Sequence, residues 1–126
     1  MVFGYEPDVI EYGKPFINHM TFIEEYVLKY HDSVETIYMI GDNLSTDILG
    51  ANMMAKNNKS IKGSPKWVSI AVKSGIFQDD QSDKSQIAKN AMLKPDHIVK
   101  DFEAAVKHIQ NLEKTYIYHD GVKLNN

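Results

Sequence analysis

Two carboxylates five residues apart occupy the most chemically suggestive stretch of the chain, Ile37-Tyr38-Met39-Ile40-Gly41-Asp42-Asn43-Leu44-Ser45-Thr46-Asp47-Ile48. The run Thr36 to Ile40 is continuously apolar and ends on Gly41, the pattern of a parallel strand buried on both faces. Asp42 then falls at the carboxyl end of that strand, and Asp47 falls in the first turn of the next helix. Ligands in open parallel sheets bind outside such strand ends. Two like charges converging there repel one another, so the pair calls for a counter-charge. A Mg²⁺ ion would supply it, being hard, oxygen-preferring and content with one or two protein carboxylates plus waters and a phosphate oxygen. A plainer reading has Asp47 complementing the helix dipole and Asp42 closing a turn. Spacing alone leaves both readings open. Gly13-Lys14-Pro15 is the second candidate. Lys14 lies directly ahead of a helix, where an ammonium can meet a phosphoryl oxygen as a point charge. A solvated lysine beside a proline is the commoner meaning of such a tripeptide.

The elements that must position these residues can be read from apolar spacing. Phe16, Met20, Ile23, Val27 and Tyr30 form one helical stripe, with Pro15 just ahead of it, where helix starts tolerate proline. Phe102, Ala105, Val106, Ile109 and Leu112 form another, with Asp101 suited to cap its first turn. Between them, a helix is expected from Ser45 or Thr46 to Lys56. The short runs Thr36–Ile40, Val68–Val72 and His97–Val99 read as strands. The order is helix, strand, helix, strand, short helix, strand, helix, which predicts an α/β fold: a parallel sheet flanked by helices, three strands thin. The stretches Lys56–Lys66 and Gln78–Gln86 are polar and read as loops. In residues 115–126, Asp120-Gly121 between short apolar runs is the signal of a small hairpin, although a frayed tail is equally compatible with a chain end.

Composition narrows the function classes. The chain has 126 residues, 43% of them apolar and 25% charged, with net charge −3 and no cysteine. That suits one modest domain with a real core rather than a disordered chain. Without cysteine there is no disulfide, thiolate nucleophile or thiolate metal site, which fits a reducing, cytoplasmic compartment. No run approaches the ~20 apolar residues of a membrane span, and Met1-Val2-Phe3-Gly4 is not a signal-peptide start. All 14 basic residues are Lys; a mildly acidic chain without arginine is poorly equipped for nucleic acid. His19, His31, His97, His108 and His119 lack ligand-type spacing, so no zinc site is expected. His97 reads as a packed or surface histidine. Met53, Met54 and Met92 read as core filler, and Trp67 as an anchor at the start of its strand. Lys56, Lys59, Lys62 and Lys66 make a basic loop, best read as solvated.

Gly13-Lys14-Pro15, a helix, an apolar strand, Gly41-Asp42-Asn43-Leu44-Ser45-Thr46-Asp47-Ile48-Leu49-Gly50-Ala51, and a further strand leading to Ser74-Gly75-Ile76-Phe77 together resemble the C-terminal core half of the haloacid dehalogenase-like (HAD-like) phosphatases. Within that superfamily the sequence is most similar to the NagD-like subgroup and the cat-eye-syndrome-region hydrolases. The resemblance covers roughly Glu11 to Leu112. It implies a partial Rossmann-like three-layer core, and it implies Mg²⁺ as cofactor and a small phosphorylated metabolite as substrate. It further implies that Lys14 neutralises the nucleophile and the phosphoryl oxygens, that Asp42 contacts Mg²⁺ directly or through water, and that Asp47 orients the metal's water shell. Asn43, beside the metal ligand, is implied as a loop-fixing and substrate-binding residue. The chemistry implied is phosphoryl transfer to an aspartate followed by hydrolysis.

The sequence departs from that family at its most important point. The family's nucleophile lies in an Asp-x-Asp motif at the end of the first core strand, and this chain has no such motif: Asp79-Asp80 lies in a polar stretch, Asp101-Phe102-Glu103 opens a helix, and Asp120 lies in the tail. Residues 1–11 read as the exit from a cap that is otherwise absent. The expectation is a truncated piece carrying half an active site and little or no activity of its own. The alternative is a non-catalytic interaction or dimerisation module with a degenerate site. In either case the strand Thr36–Ile40 is expected to present an open edge, where a second copy of the chain could pair.

Overall fold

The computed structural model describes residues 13–31 and 33–114, together with the backbone of 118–119 and 122–123. The expected role of residues 1–11 lies outside the described residues.

Three strands form one parallel sheet, β1 (Thr36–Gly41), β2 (Lys66–Val72) and β3 (His97–Val99), in the order β1-β2-β3. Thr36 is opposite Lys66 and Gly41 opposite Ala71, while Ile70 is opposite His97 and Val72 opposite Val99. Alternation along the central strand sorts the two faces. Trp67 and Ala71 turn one way, where Trp67 joins Met20, Ala51 and Met54, and Ala71 joins Leu44, Ile48, Phe77 and Leu93. Ile70 and Val72 turn the other way, against Ala105 and Ile109. The first face is covered by α1 (Ile17–Tyr30) and α2 (Leu49–Asn58), with the neighbouring cluster closed by Ile87 of α3 (Gln81–Lys89); the second is covered by α4 (Phe102–Leu112). This is the expected partial Rossmann-like core, helices on both sides of a parallel sheet.

Local chemistry accounts for the boundaries. Gly13 adopts φ +110°, a conformation that side chains disfavour, and its carbonyl accepts from the Phe16 N–H at 2.8 Å to close the turn that leads into α1. Gly50 lets the two helices on this face approach closely, since a Cβ there would lie 2.9 Å from the Met20 sulfur. Asp101 caps α4 by accepting from the Ala104 N–H at 2.8 Å. Trp67 is buried at the start of β2, and its indole N–H donates to Glu24 Oε1 at 2.8 Å.

Four readings are corrected. The short helix expected between the second and third strands is α3, and because it begins at Gln81 the stretch Gln78–Gln86 is not a loop throughout. Asp80 Oδ1 accepts from the Asp83 N–H at 3.0 Å, and the buried Asp83 carboxylate accepts from the Gln78 N–H at 2.9 Å. Capping starts this helix, while Ile87 alone of its residues joins the core beside it, so there was no apolar period to read. The helix expected from Ser45 or Thr46 begins instead as a π turn, Leu44–Ile48, with Ile48 N–H donating to Asn43 O at 3.2 Å, before α2 takes over at Leu49. The Lys56–Lys66 stretch is only partly an exposed loop: α2 runs to Asn58, and Asn58 and Pro65 are buried and joined by a 2.9 Å hydrogen bond. In α1, only the middle of the stripe is covered; Phe16 and Tyr30 are exposed at its ends. Of the three methionines, Met54 is fully buried, and Met53 and Met92 are half-buried. β4 (Tyr118–His119) pairs antiparallel with β5 (Val122–Lys123), which favours the hairpin of the two readings left open for this segment.

Candidate functional site

Asp42 is the first residue beyond β1. Its carboxylate is held from across the sheet end by the segment after β2: the Ile76 N–H donates to Asp42 Oδ2 at 2.9 Å, and the Phe77 N–H donates to the Asp42 backbone carbonyl at 2.8 Å. Phe77 anchors this segment in the core, and the Ile76 side chain projects into solvent. Gly75 makes the approach possible, because a Cβ at that position would collide with the Asp42 carboxylate.

Asp47 sits in the π turn and is 5% exposed. Its carboxylate lies against Gly41, where a Cβ would again collide with it. The i→i+5 spacing of this turn, wider than an α turn, therefore starts the next helix while directing Asp47 back over the end of β1. A buried carboxylate needs a partner, and the Lys14 ammonium supplies one, pairing with Asp47 Oδ1 across 33 residues of sequence. Asn43 Oδ1 accepts from the Ser45 N–H at 2.9 Å, capping the same turn.

The four residues singled out from the sequence thus converge on the carboxyl end of β1. Lys14 and Asp47 are in contact, Asp42 and Asp47 each abut a glycine of the strand ends, and Asn43 orders the turn between the two acids. Sequence reasoning missed Gly41, Gly75 and the Ile76 amide as the seats of the carboxylates; the only trace was a glycine after each of two strands. Among the described residues, no three His, Asp or Glu side chains are grouped to hold a metal. Two carboxylates suit a hard ion whose remaining ligands are waters or phosphate oxygens, so Asp42 and Asp47 fit part of a Mg²⁺ shell.

Residues 11–56 match the HAD-hydrolase-like family model. That match supports the HAD-like superfamily. It contains Lys14, Asp42, Asn43 and Asp47 together. The chain is also 34% identical over 80 residues to the cardiolipin synthase (CMP-forming)/mitochondrial hydrolase fusion protein of Schizosaccharomyces pombe, an alignment that takes in 59% of this chain and 12% of that protein. The chain therefore spans only a small part of the curated relative it matches. No solved structure matches the chain. Among the described residues, no helix is long and apolar enough to cross a membrane.

Proposed function

We propose that this chain carries the cation-binding half of a Mg²⁺-dependent phosphatase site, which in a complete enzyme hydrolyses the phosphate monoester of a small metabolite. Within the HAD-like superfamily we place it nearest the NagD-like and cat-eye-syndrome-region hydrolases, on the pairing of Gly13-Lys14-Pro15 with the Gly41-to-Ala51 motif. The fission-yeast relative is named in part as a hydrolase, which agrees with this class of reaction.

The observation that carries this reading is the convergence of Lys14, Asp42 and Asp47 at one strand end. Asp42 and Asp47 would hold the ion, which when bound neutralises charge on the phosphoryl group. Lys14, already against Asp47, is placed to hold a phosphoryl oxygen as a point charge. Asn43 maintains the turn that sets the two acids apart. The nucleophilic aspartate is not among these residues, and the sequence contains no Asp-x-Asp. The reading therefore places it on a segment outside this chain, with the chain alone inactive.

Calorimetric titration with Mg²⁺ tests the cation site. Binding is expected in the wild type and at least about tenfold weaker in Asp42→Asn and Asp47→Asn; binding indifferent to both substitutions would overturn it. With Mg²⁺ and p-nitrophenyl phosphate the chain should give no turnover, and hydrolysis that depends on Asp42 would overturn the placement of the nucleophile elsewhere. A second reading, a non-catalytic dimerisation module, is favoured by one observation: every residue of β1 is only half-buried, although its sequence is that of an interior strand.

A further inference from the structure

A cavity of about 1020 Å³ opens at the other end of the sheet, where β2 and β3 begin, between the end of α2 and the turn before β3. Its asparagine and serine side chains are already engaged. Both amide hydrogens of Asn52 are donated, to Met92 O at 2.7 Å and Lys94 O at 2.8 Å, and its oxygen accepts from Ser69 Oγ at 2.8 Å. Asn58 donates to Glu24 and to Pro65 O, and Ser64 Oγ donates to backbone carbonyls. The lining carboxylate, Asp96, is held by the Ser69 N–H at 2.9 Å. The cations are different: Lys59, Lys66 and Lys94 line the same cavity, and among the described residues none of them pairs with a carboxylate. Three ammonium groups against Asp96 and, behind Asn58 and Trp67, Glu24, both engaged, leave a single positive surplus in a chain whose net charge is −3. Apolar surface lies beside them, in Ile61, which is 50% exposed, and in the half-buried Met92.

We propose that this groove binds a small organic anion, with the three lysines holding a terminal phosphate or carboxylate and Ile61 and Met92 taking its apolar body. Three cationic donors without a carboxylate partner favour an acidic group, and a concave apolar wall beside them favours a ligand with a hydrophobic portion over a bare ion. The groove lies at the opposite end of the strands from Asp42 and Asp47, so the proposal stands whether or not those acids bind Mg²⁺.

Trp67 is the only tryptophan of the chain and lies in the groove wall, so its fluorescence reports occupancy. The metal-free chain is titrated with phenyl phosphate, benzoate and inorganic phosphate. A saturable change is expected with phenyl phosphate or with benzoate, the tighter of the two identifying the acidic group. It should weaken about tenfold in the variant Lys59→Gln/Lys66→Gln/Lys94→Gln, weaken with added NaCl in the wild type, and persist in Lys14→Ala. The three lysines are exposed, so an unchanged melting temperature should accompany the triple variant; the NaCl series on wild-type protein decides the matter if it does not. The proposal is overturned by no saturable response to either organic anion, by binding insensitive to both the triple substitution and salt, by loss of binding in Lys14→Ala, or by inorganic phosphate binding as tightly as phenyl phosphate.

Discussion

Asp42 and Asp47 are each fixed by backbone that comes unusually close, and that has a measurable consequence. A Cβ at Gly75 would overlap the Asp42 carboxylate. The segment cannot simply retreat, because buried Phe77 and the Phe77 N–H bond to Asp42 hold it in place. Gly75→Ala should therefore cost about 1–3 kcal/mol, the range for overpacking a close contact, read from urea unfolding. In an Asp42→Ser background the overlapping carboxylate is gone, so the penalty should shrink by more than about 0.5 kcal/mol, the limit of ordinary additivity. Equal costs in the two backgrounds would remove the contact as the cause. The residue types at the site were legible only in combination: neither the paired acids after an apolar strand nor the lysine ahead of a helix is distinctive alone. The ion pair of Lys14 with Asp47 was not, since the fold brings together residues that sequence leaves 33 apart. Nor was the part played by Gly41 and Gly75, because a close approach of backbone to a side chain leaves no periodic signal.

At the scale of elements, what could be read followed the apolar pattern, continuous runs for strands and a stripe of period ~3.6 residues for helices. Thr36–Ile40 and His97–Val99 were recognisable as short apolar runs and Phe102–Leu112 by its helical apolar stripe, and the structure differs there by a residue at most. The π turn after β1 and the start of the short helix α3 were not, because hydrogen bonds define them: the i→i+5 bond to Asn43 O and the Asp80–Asp83 cap. Capping should matter equally in α4, which buries only Ala105 completely while Phe102 and Leu112 stay exposed. With so little covered, its first turn depends on Asp101. Replacing Asp101 with Ala should cost about 1 kcal/mol and speed amide exchange at Phe102 to Ala105 well before exchange rises in β2. Unchanged exchange in that turn would show that packing on the sheet, rather than the cap, holds the start of α4.

Over the whole molecule, the two faces of the sheet are unequally covered. On one side α1 and α2 bury Trp67, Met20 and Met54 completely or nearly so. On the other, α4 lies over Ile70 and Val72 and leaves Tyr38 and Ile40 of β1 half-buried, with Val106 exposed nearby. β1 stands at the end of the strand order, so among the described residues its outer backbone groups have no strand beside them. An interior-type sequence in an edge position is an association hazard, since unpaired N–H and C=O groups template a neighbour and the apolar side chains reward it. The Tyr38 hydroxyl, which donates to Glu113 Oε1 at 2.8 Å, ties α4 to this strand without covering its edge. A second copy pairing strand to strand would double the sheet to six and cover both β1 edges at once. Sedimentation velocity should then show weight-average mass rising with concentration toward that of a dimer, and alternate amides of β1 should gain protection from exchange over the same range. A single species of monomer mass at millimolar concentration, with β1 amides exchanging as an open edge does, would mean that the edge is kept apart from a second copy by something stronger than its own unpaired groups.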